Sequence, residues 1–364
     1  MKLKWLLTLV GAILGLSIAI AFFIVQISAQ PSYTPTELAE CNPLLINNQD
    51  GINILIMSDK QVAEDYLKYL TQNYPFNQNN FNFYHTSLVE DHCNLYRGQA
   101  LLCTSDKILE RASSCPHDYL FVAKEEKPSI RSAAYLNIAS INTNHKNTVL
   151  LHEFGHIFAN LAEEYVEAGT RLPRNSKNCV SQCEDFNGLE EGCFEGCTSP
   201  SLIRSIENGV MRTLSSASYG SFNEEVISVI MSKAVNNKAR ITGASITDPA
   251  KCEESSYLLV TGEVNDRGPE IRDVSLRKGC SPEFTTGDYS YILDSTRGNF
   301  NPEFLFTDVP DETDYLSGET YTSEIPFSFA IPYYDGENLE IYDNDGNLFH
   351  QENLQSLGEE PCLV

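Results

Sequence analysis

The pentapeptide H-E-F-G-H, from His152 to His156, constrains this chain more than any other feature. It lies in an apolar stretch that predicts an amphipathic helix, whose start Asn147 or Thr148 can cap. Residues four apart share one face of a helix, so His152 and His156 point the same way. Two imidazoles at this spacing can bind one tetrahedral Zn²⁺ and leave positions for a third ligand and a water molecule. Glu153 lies beside the first imidazole, where the general base of a zinc peptidase is expected.

The third ligand of such a site must lie beyond the second histidine. A straight α-helix rises about 1.5 Å per residue, so Glu163 would lie about 10 Å from His156 along the axis, too far to bind the same ion. Glu163 can therefore be a ligand only if the helix ends between these two residues. Asn160 is the predicted end, because Asn tolerates the left-handed conformation that terminates helices. The alternative third ligands are Glu164, Glu224 and Glu225.

Several segments give the chain a resemblance to a known family. Residues 152–156 and 161–165 read H-E-F-G-H and L-A-E-E-Y, and they resemble the H-E-F-G-H…L-A-D-E-Y pattern of the IgA-peptidase-like metallopeptidases, the igalysins, a metzincin branch. The segment Asn208–Leu214, which contains Met211, looks like the methionine-containing turn below the zinc in metzincins. The likeness covers roughly residues 50–235, with later blocks in the family's order at 192–196, 210–212 and 222–225.

The resemblance implies an α/β metzincin-like zinc peptidase domain, in which the active-site helix breaks and the third ligand follows the break. It implies Zn²⁺ as the cofactor, bound by His152, His156 and Glu163, with Met211 below the site and out of contact with the substrate. The chain differs from the family after the second histidine, where residues 159–160 stand in place of a usual Gly. It differs again at Glu163, where Asp is usual.

Glu224 and Glu225 are candidates for a different reason. They open a later predicted helix that runs to about Ala234, and a Glu from a later helix completes the zinc site in thermolysin-like peptidases. Acidic residues in a first turn also stabilise the helix dipole, which is a purely structural explanation. Met211 and the acid pair directly after the zinc helix favour Glu163.

Upstream of the zinc helix, strands and a helix alternate as such a fold requires. Apolar runs predict buried strands at 52–57 and 119–123, and a helical pattern runs from about 61 to 70. Residues 133–141 are expected to form an edge strand beside the cleft that can pair with an extended substrate backbone. An ordinary sheet strand is the alternative.

The C-terminal third has a different sequence pattern: short runs typical of strands alternate with turn residues. This pattern predicts a β-sandwich. The predicted hairpin at 338–350 contains Asp343, Asp345 and Asn347, whose spacing is similar to a Ca²⁺ loop. Its Gly is misplaced for an EF-hand, so a plain turn is expected. The other predicted strands are 256–262, 290–293, 304–306 and 327–330.

All eleven cysteines lie beyond an apolar N-terminal segment, which agrees with an oxidising exterior, and the odd number leaves at least one without a partner in the chain. The spacing of Cys179, Cys183, Cys193 and Cys197 predicts two facing helical turns with nested disulfides, Cys179–Cys197 and Cys183–Cys193. A second zinc site of four thiolates is the alternative, but structural zinc prefers C-x₂-C spacing. Residues 171–200 would then form an ordered insertion at the rim of the cleft that shapes substrate access.

The N-terminal segment has the features of a membrane anchor. Residues from Trp5 to Val25 are apolar and uncharged, long enough to cross a bilayer as a helix. Lys2 and Lys4 precede them, so the positive-inside rule keeps the N-terminus in the cytoplasm and the rest outside. A signal peptide cleaved near 27–29 is the alternative, but secretory apolar cores are usually only about 7–15 residues long. We expect a single-pass protein of the cell membrane with its catalytic domain outside, or a secreted protein if the segment is cleaved.

The chain has 364 residues, which is long enough for two domains. Its net charge of −25 argues against a nucleic-acid partner, because the phosphates would be repelled. The predicted organisation is a transmembrane helix over 1–29, a spacer over 30–49, a zinc metallopeptidase domain over 50–238 and a β-sandwich domain over 239–364.

The expected function is that of a membrane-anchored extracytoplasmic zinc endopeptidase, which hydrolyses bonds in protein or peptide substrates with Glu153 as general base. The alternative is a non-catalytic surface adhesion protein, with a metzincin-like scaffold and a β-domain that does the binding. An intact Glu153 between two intact histidines argues against this alternative.

Overall fold

The computed structural model describes residues 38–88, 92–96, 98–166, 172–241, 247–265, 268–282, 289–294, 296–300, 325–334, 336–343 and 345–354. The predicted membrane helix, the predicted strand at 304–306 and Cys362 lie outside these ranges. Among the residues within them, no helix is both long enough and apolar enough to cross a membrane.

The N-terminal half alternates strands and helices in the order expected from the sequence. Its elements are β1 (Asn42–Leu45), β2 (Ile52–Met57), α1 (Lys60–Leu70), β3 (Phe81–Thr86), β4 (Asn94–Tyr96), β5 (Ala100–Leu102), α2 (Asp106–Ala112), β6 (Tyr119–Lys124), β7 (Ala133–Tyr135), β8 (Ile138–Asn142) and α3 (Thr148–Ala159). The predicted strands at 52–57 and 119–123 and the predicted helix at 61–70 are therefore confirmed.

Six of these strands form one sheet in the order β1-β3-β2-β6-β8-β7. The four inner strands run parallel, and β1 and β7 are antiparallel to their neighbours at the two edges. Strand β2 is buried along its whole length, because α1 and α3 cover one face of the sheet and α2 covers the other. Strands that are covered on both faces usually have nearly continuous apolar sequences, and the sequence of β2 fits this rule.

The predicted strand at 133–141 is in fact two strands. Leu136 adopts a left-handed conformation, with φ of 56°, and turns the chain between β7 and β8. Strand β7 alone lies at the edge of the sheet, and β8 is an inner strand.

The C-terminal half contains two antiparallel sheets, with strand orders β12-β11-β15 and β14-β13-β16-β17. They share one apolar core, to which Leu258 and Ile331 contribute from the first sheet and Leu339 and Ile341 from the second. The elements of this half are β9 (Phe194–Cys197), β10 (Ser199–Arg204), α4 (Ser221–Ile241), β11 (Ser256–Asn265), β12 (Gly268–Lys278), β13 (Tyr289–Leu293), β14 (Thr296–Phe300), β15 (Ile325–Tyr333), β16 (Asn338–Tyr342) and β17 (Leu348–Asn353).

The turn between β16 and β17 uses the Asp343 carboxylate for its own backbone. Asp343 Oδ1 accepts hydrogen bonds from the N–H groups of Asp345 at 2.9 Å and Asn347 at 2.7 Å. The predicted hairpin is present, and the Asp343 carboxylate stabilises its turn.

The boundary predicted between residues 238 and 239 falls inside α4, which continues to Ile241. Tyr257 and Leu259 of β11 and Ala330 of β15 pack into the same apolar cluster as α2 and the back of the first sheet. The strands after α4 therefore complete the core behind the first sheet, and the chain from Leu38 onward forms one compact unit.

Five disulfides join cysteines within the described residues: Cys41–Cys115, Cys93–Cys103, Cys179–Cys197, Cys183–Cys193 and Cys252–Cys280.

The nested pairing predicted for 179–197 is present, but its local structure differs from the prediction. Cys183 opens a short 3₁₀ turn, and Cys197 ends a strand of the β9–β10 hairpin. Gly188 and Gly196 have φ of 78° and 85°, a left-handed conformation that a right-handed helix does not contain and that glycine adopts without steric cost.

We expect non-reducing digestion with Glu-C protease to recover these four cysteines linked only among themselves. Partial reduction and alkylation before mass spectrometry should then assign Cys179 to Cys197 and Cys183 to Cys193. Four free thiols together with a bound metal would instead indicate the second zinc site.

Candidate metal centre

Helix α3 is a rigid support for the site because every residue from Val149 to Ala159 is buried. On one side, Phe154 stacks on Phe158 with ring centroids 4.7 Å apart and packs against Phe76 at 4.6 Å. Asn147 precedes the helix, but its side chain makes no capping hydrogen bond.

The helix ends at Asn160, as predicted. Asn160 has φ of 51° and ψ of 36°, the left-handed conformation that terminates helices. Its N–H donates to the carbonyl of His156 at 3.0 Å, and the next N–H, of Leu161, donates to Gly155 at 3.2 Å. The chain turns back here, which brings Glu163 to the helix.

The structure brings the three predicted ligands together. The two Nε2 atoms of His152 and His156 lie 3.1 Å apart, and the Glu163 carboxylate lies 3.2 Å from the first and 3.3 Å from the second. Ligand atoms around a tetrahedral zinc ion, at bonds of about 2.0–2.2 Å, are separated by about 3.3–3.5 Å. Among the described residues, no other trio of His, Cys, Asp or Glu side chains meets in this way.

Backbone carbonyls fix the tautomer of both imidazoles. Nδ1 of His152 lies 2.8 Å from the carbonyl of Val210, and Nδ1 of His156 lies 2.6 Å from that of Leu161. A carbonyl can only accept, so each Nδ1 carries a hydrogen and each Nε2 is the nitrogen that faces the trio. Two imidazole nitrogens next to a carboxylate form a donor set that fits zinc.

The electrostatics of the trio favour a positive charge at its centre. Burial opposes protonation of His152, but Glu163, and to a smaller extent Glu153, raise the pKa of this imidazole to about 10. Burial likewise acts to raise the pKa of Glu163, but the two imidazoles outweigh it and hold this pKa well below its usual value. The Glu163 carboxylate therefore stabilises a positive charge beside the two imidazoles.

Glu153 and the trio line one cavity of about 160 Å³. Burial raises the pKa of the Glu153 carboxyl, although the two imidazoles act against this shift. The edge strand β7 borders the cavity through Ala134, as the sequence predicted for an edge strand beside the cleft. The remaining lining residues are Arg131, Ser132, His145, Val149, Tyr165, Arg212, Thr213 and Leu214.

Met211 packs directly below the helix. Its side chain is fully buried, and a Cβ built on Gly155 would lie only 2.6 Å from its sulfur atom. Glycine at position 155 therefore permits the close approach of Met211 to α3. The Met211 turn also supplies the Val210 carbonyl that orients His152, and the Thr148 hydroxyl at the start of α3 donates to Leu214 after the turn.

No protein-family model and no curated protein matches the chain. The resemblance to igalysins therefore rests on the sequence motifs alone.

The alternative ligands lie elsewhere. Glu164 is fully buried, and its Oε1 accepts hydrogen bonds from the side-chain amides of Asn178 at 3.1 Å and Asn223 at 2.8 Å. Burial raises the pKa of Glu164 to about 7, against the opposing effect of the two amides. Glu224 and Glu225 are part of α4, and neither lines the cavity or belongs to the trio.

Sequence reasoning missed the two asparagines that hold Glu164. Asn223 lies in the family-like block at 222–225, which was a usable signal. Asn178 precedes a cysteine in an irregular segment, and no feature of the sequence there pointed to its contact with Glu164.

Proposed function

We propose that this protein is a zinc-dependent endopeptidase, anchored by its N-terminal segment with the catalytic domain outside the cell. The observation that carries the proposal is the convergence of His152, His156 and Glu163, with ligand atoms 3.1–3.3 Å apart, beside Glu153 in one cavity. A zinc ion held by these three side chains supplies Lewis acidity, which polarises a peptide carbonyl and lowers the pKa of water.

The protein's own groups perform the proton transfers. The Glu153 carboxylate takes a proton from the attacking water and later delivers it to the leaving amine. A raised pKa suits this double role, because the carboxyl must both accept and release a proton near neutral pH. The carbonyls of Val210 and Leu161 keep the two imidazoles in the orientation that exposes Nε2.

The substrate is a segment of protein or peptide in an extended conformation. Strand β7 lies at the edge of the six-stranded sheet and borders the cavity through Ala134, although all three of its residues are buried. Pairing of a substrate backbone with this strand stays a prediction from the sequence.

Metal removal tests this proposal. The detergent-solubilised full-length chain should contain one zinc ion and cleave casein or members of a broad peptide library. Dialysis against 1,10-phenanthroline should abolish cleavage, and added zinc should restore it, with the metal measured by atomic emission. A chain without zinc contradicts the metal site, and a zinc-loaded chain that cleaves nothing supports the adhesion alternative.

A further inference from the structure

The segment that carries Glu163 has no regular secondary structure of its own, so hydrogen bonds to distant parts of the chain hold it, among them one from the Glu164 N–H to the Met211 carbonyl at 3.0 Å. It follows the end of α3 and comprises residues 162–165. Asn178 binds it like a neighbouring strand: Asn178 Oδ1 accepts from the N–H of Ala162 at 2.7 Å, and Asn178 Nδ2 donates to the carbonyl of Ala162 at 2.9 Å. Ser176 Oγ accepts from the same N–H at 3.1 Å.

Thr198 holds the segment at its other end. The Thr198 hydroxyl donates to the carbonyl of Glu163 itself at 2.8 Å, and the Thr198 N–H donates to the carbonyl of Tyr165 at 3.1 Å. Asn178 and Thr198 therefore bind the backbone on both sides of the Glu163 side chain.

A disulfide places these two residues. Asn178 directly precedes Cys179, Thr198 directly follows Cys197, and the two cysteines are bonded to each other. Both cysteines are buried, and they form a small apolar cluster with Ala162, the first residue of the segment. The bond thus lies directly beside the backbone that presents the third ligand.

We propose that the Cys179–Cys197 disulfide positions the third metal ligand, and that Asn178 and Thr198 are its two positioning residues. This inference rests on the proposed zinc site. The disulfide keeps Asn178 and Thr198 at a fixed distance from each other, and they in turn keep the Glu163 carboxylate facing the two imidazoles. Without it, the backbone at Ala162 and Glu163 is held less firmly, although the Glu164 N–H still donates to the Met211 carbonyl at 3.0 Å, and the site loses affinity with all three ligands present.

The second disulfide of the same insertion is a matched control. Cys183–Cys193 is nested within the first pair. The residue beside it, Gly192, donates its N–H to the carbonyl of Ser205 at 3.3 Å and not to the segment that carries Glu163. None of the residues beside Cys183 or Cys193 has a hydrogen bond to residues 162–165 in the described structure. Its removal perturbs the insertion without releasing the ligand segment.

Zinc affinity of the full-length chain, measured by competition with a chelating dye, separates the two disulfides. The double substitution Cys179→Ala with Cys197→Ala should raise the Kd for zinc by about 10–100-fold, the effect typical of groups that orient metal ligands. The double substitution Cys183→Ala with Cys193→Ala should leave the Kd unchanged within error. Thr198→Val should weaken zinc binding, whereas Thr198→Ser, which keeps the hydroxyl, should restore it.

Hydrogen exchange gives a readout that does not depend on zinc. In the metal-free chain, the Ala162 amide should exchange faster after loss of Cys179–Cys197 than after loss of Cys183–Cys193. Equal exchange and equal zinc affinity in the two double variants overturn the proposal. If the wild type binds no zinc but the exchange rates still differ, the proposed function fails, while the role of the disulfide in holding the Glu163 segment stands. If the first double variant does not fold, the Thr198→Val and Thr198→Ser pair decides the question on both readouts.

Discussion

The substitution Glu153→Gln should leave one zinc ion bound per chain and lower the rate of peptide hydrolysis by at least about 100-fold. Glu153 lines the cavity but is not one of the three ligands, so its replacement does not remove a bond to the metal. The amide has nearly the same size and packs in the same buried position, but it cannot take a proton from water. The measurement is kcat/KM on the best substrate of the wild type, together with the zinc content of both proteins.

Glu153→Asp is the control for this substitution. It keeps a carboxylate but withdraws it by one methylene, so a rate between those of the wild type and Glu153→Gln is expected. If Glu153→Gln retains more than a few per cent of the wild-type rate, Glu153 is not the base. If the amide variant loses its zinc, the loss of rate says nothing about proton transfer, and the zinc content reveals this case.

The two histidines of the metal trio were predictable from their spacing, and Glu163 was favoured by Met211 and by the acid pair after the helix, with the early end of the helix as its consequence. Glu163 can reach the histidines only if the helix ends early, and Asn160 is the residue that ends it. The close contact of Met211 with Gly155 was predictable only through the family resemblance, because nothing local links residues so far apart in the chain.

The residues that support the trio were not predictable, for a physical reason. Asn178, Thr198 and Asn223 act through hydrogen bonds to distant segments, and such bonds leave no periodic pattern in the sequence. Leu136 is a similar case, since a leucine in the left-handed conformation is uncommon and residues 133–141 consequently looked like one strand.

Packing between distant parts of the chain was equally impossible to predict from the sequence. The alternation of apolar residues in β11 predicts a strand with two faces, but it does not say what each face contacts. Leu258 faces the second C-terminal sheet, whereas Tyr257 and Leu259 pack behind the first sheet. This is why a separate C-terminal domain was expected where the structure has a continuous core.

Loss of the third ligand is the second large effect that we expect. Glu163→Ala should remove zinc during dialysis against a weak chelator, because two imidazoles remain where a catalytic zinc site needs three protein ligands. Glu163→Asp should keep part of the affinity, since it retains a carboxylate and restores the residue usual in igalysins. Zinc stoichiometry after dialysis is the measurement for both variants.

Neighbouring and distant carboxylates supply the matched controls for Glu163. Glu164→Ala should weaken binding by only about 10–100-fold, because Glu164 acts through Asn178 and Asn223 and does not face the histidines. Glu224→Ala and Glu225→Ala should hold a full equivalent of zinc, since both residues lie on α4 and outside the trio. The opposite pattern, in which Glu163→Ala keeps its zinc while one of the two α4 variants loses it, would rule out the metzincin-like arrangement. The third ligand would then come from a later helix, as in thermolysin-like peptidases.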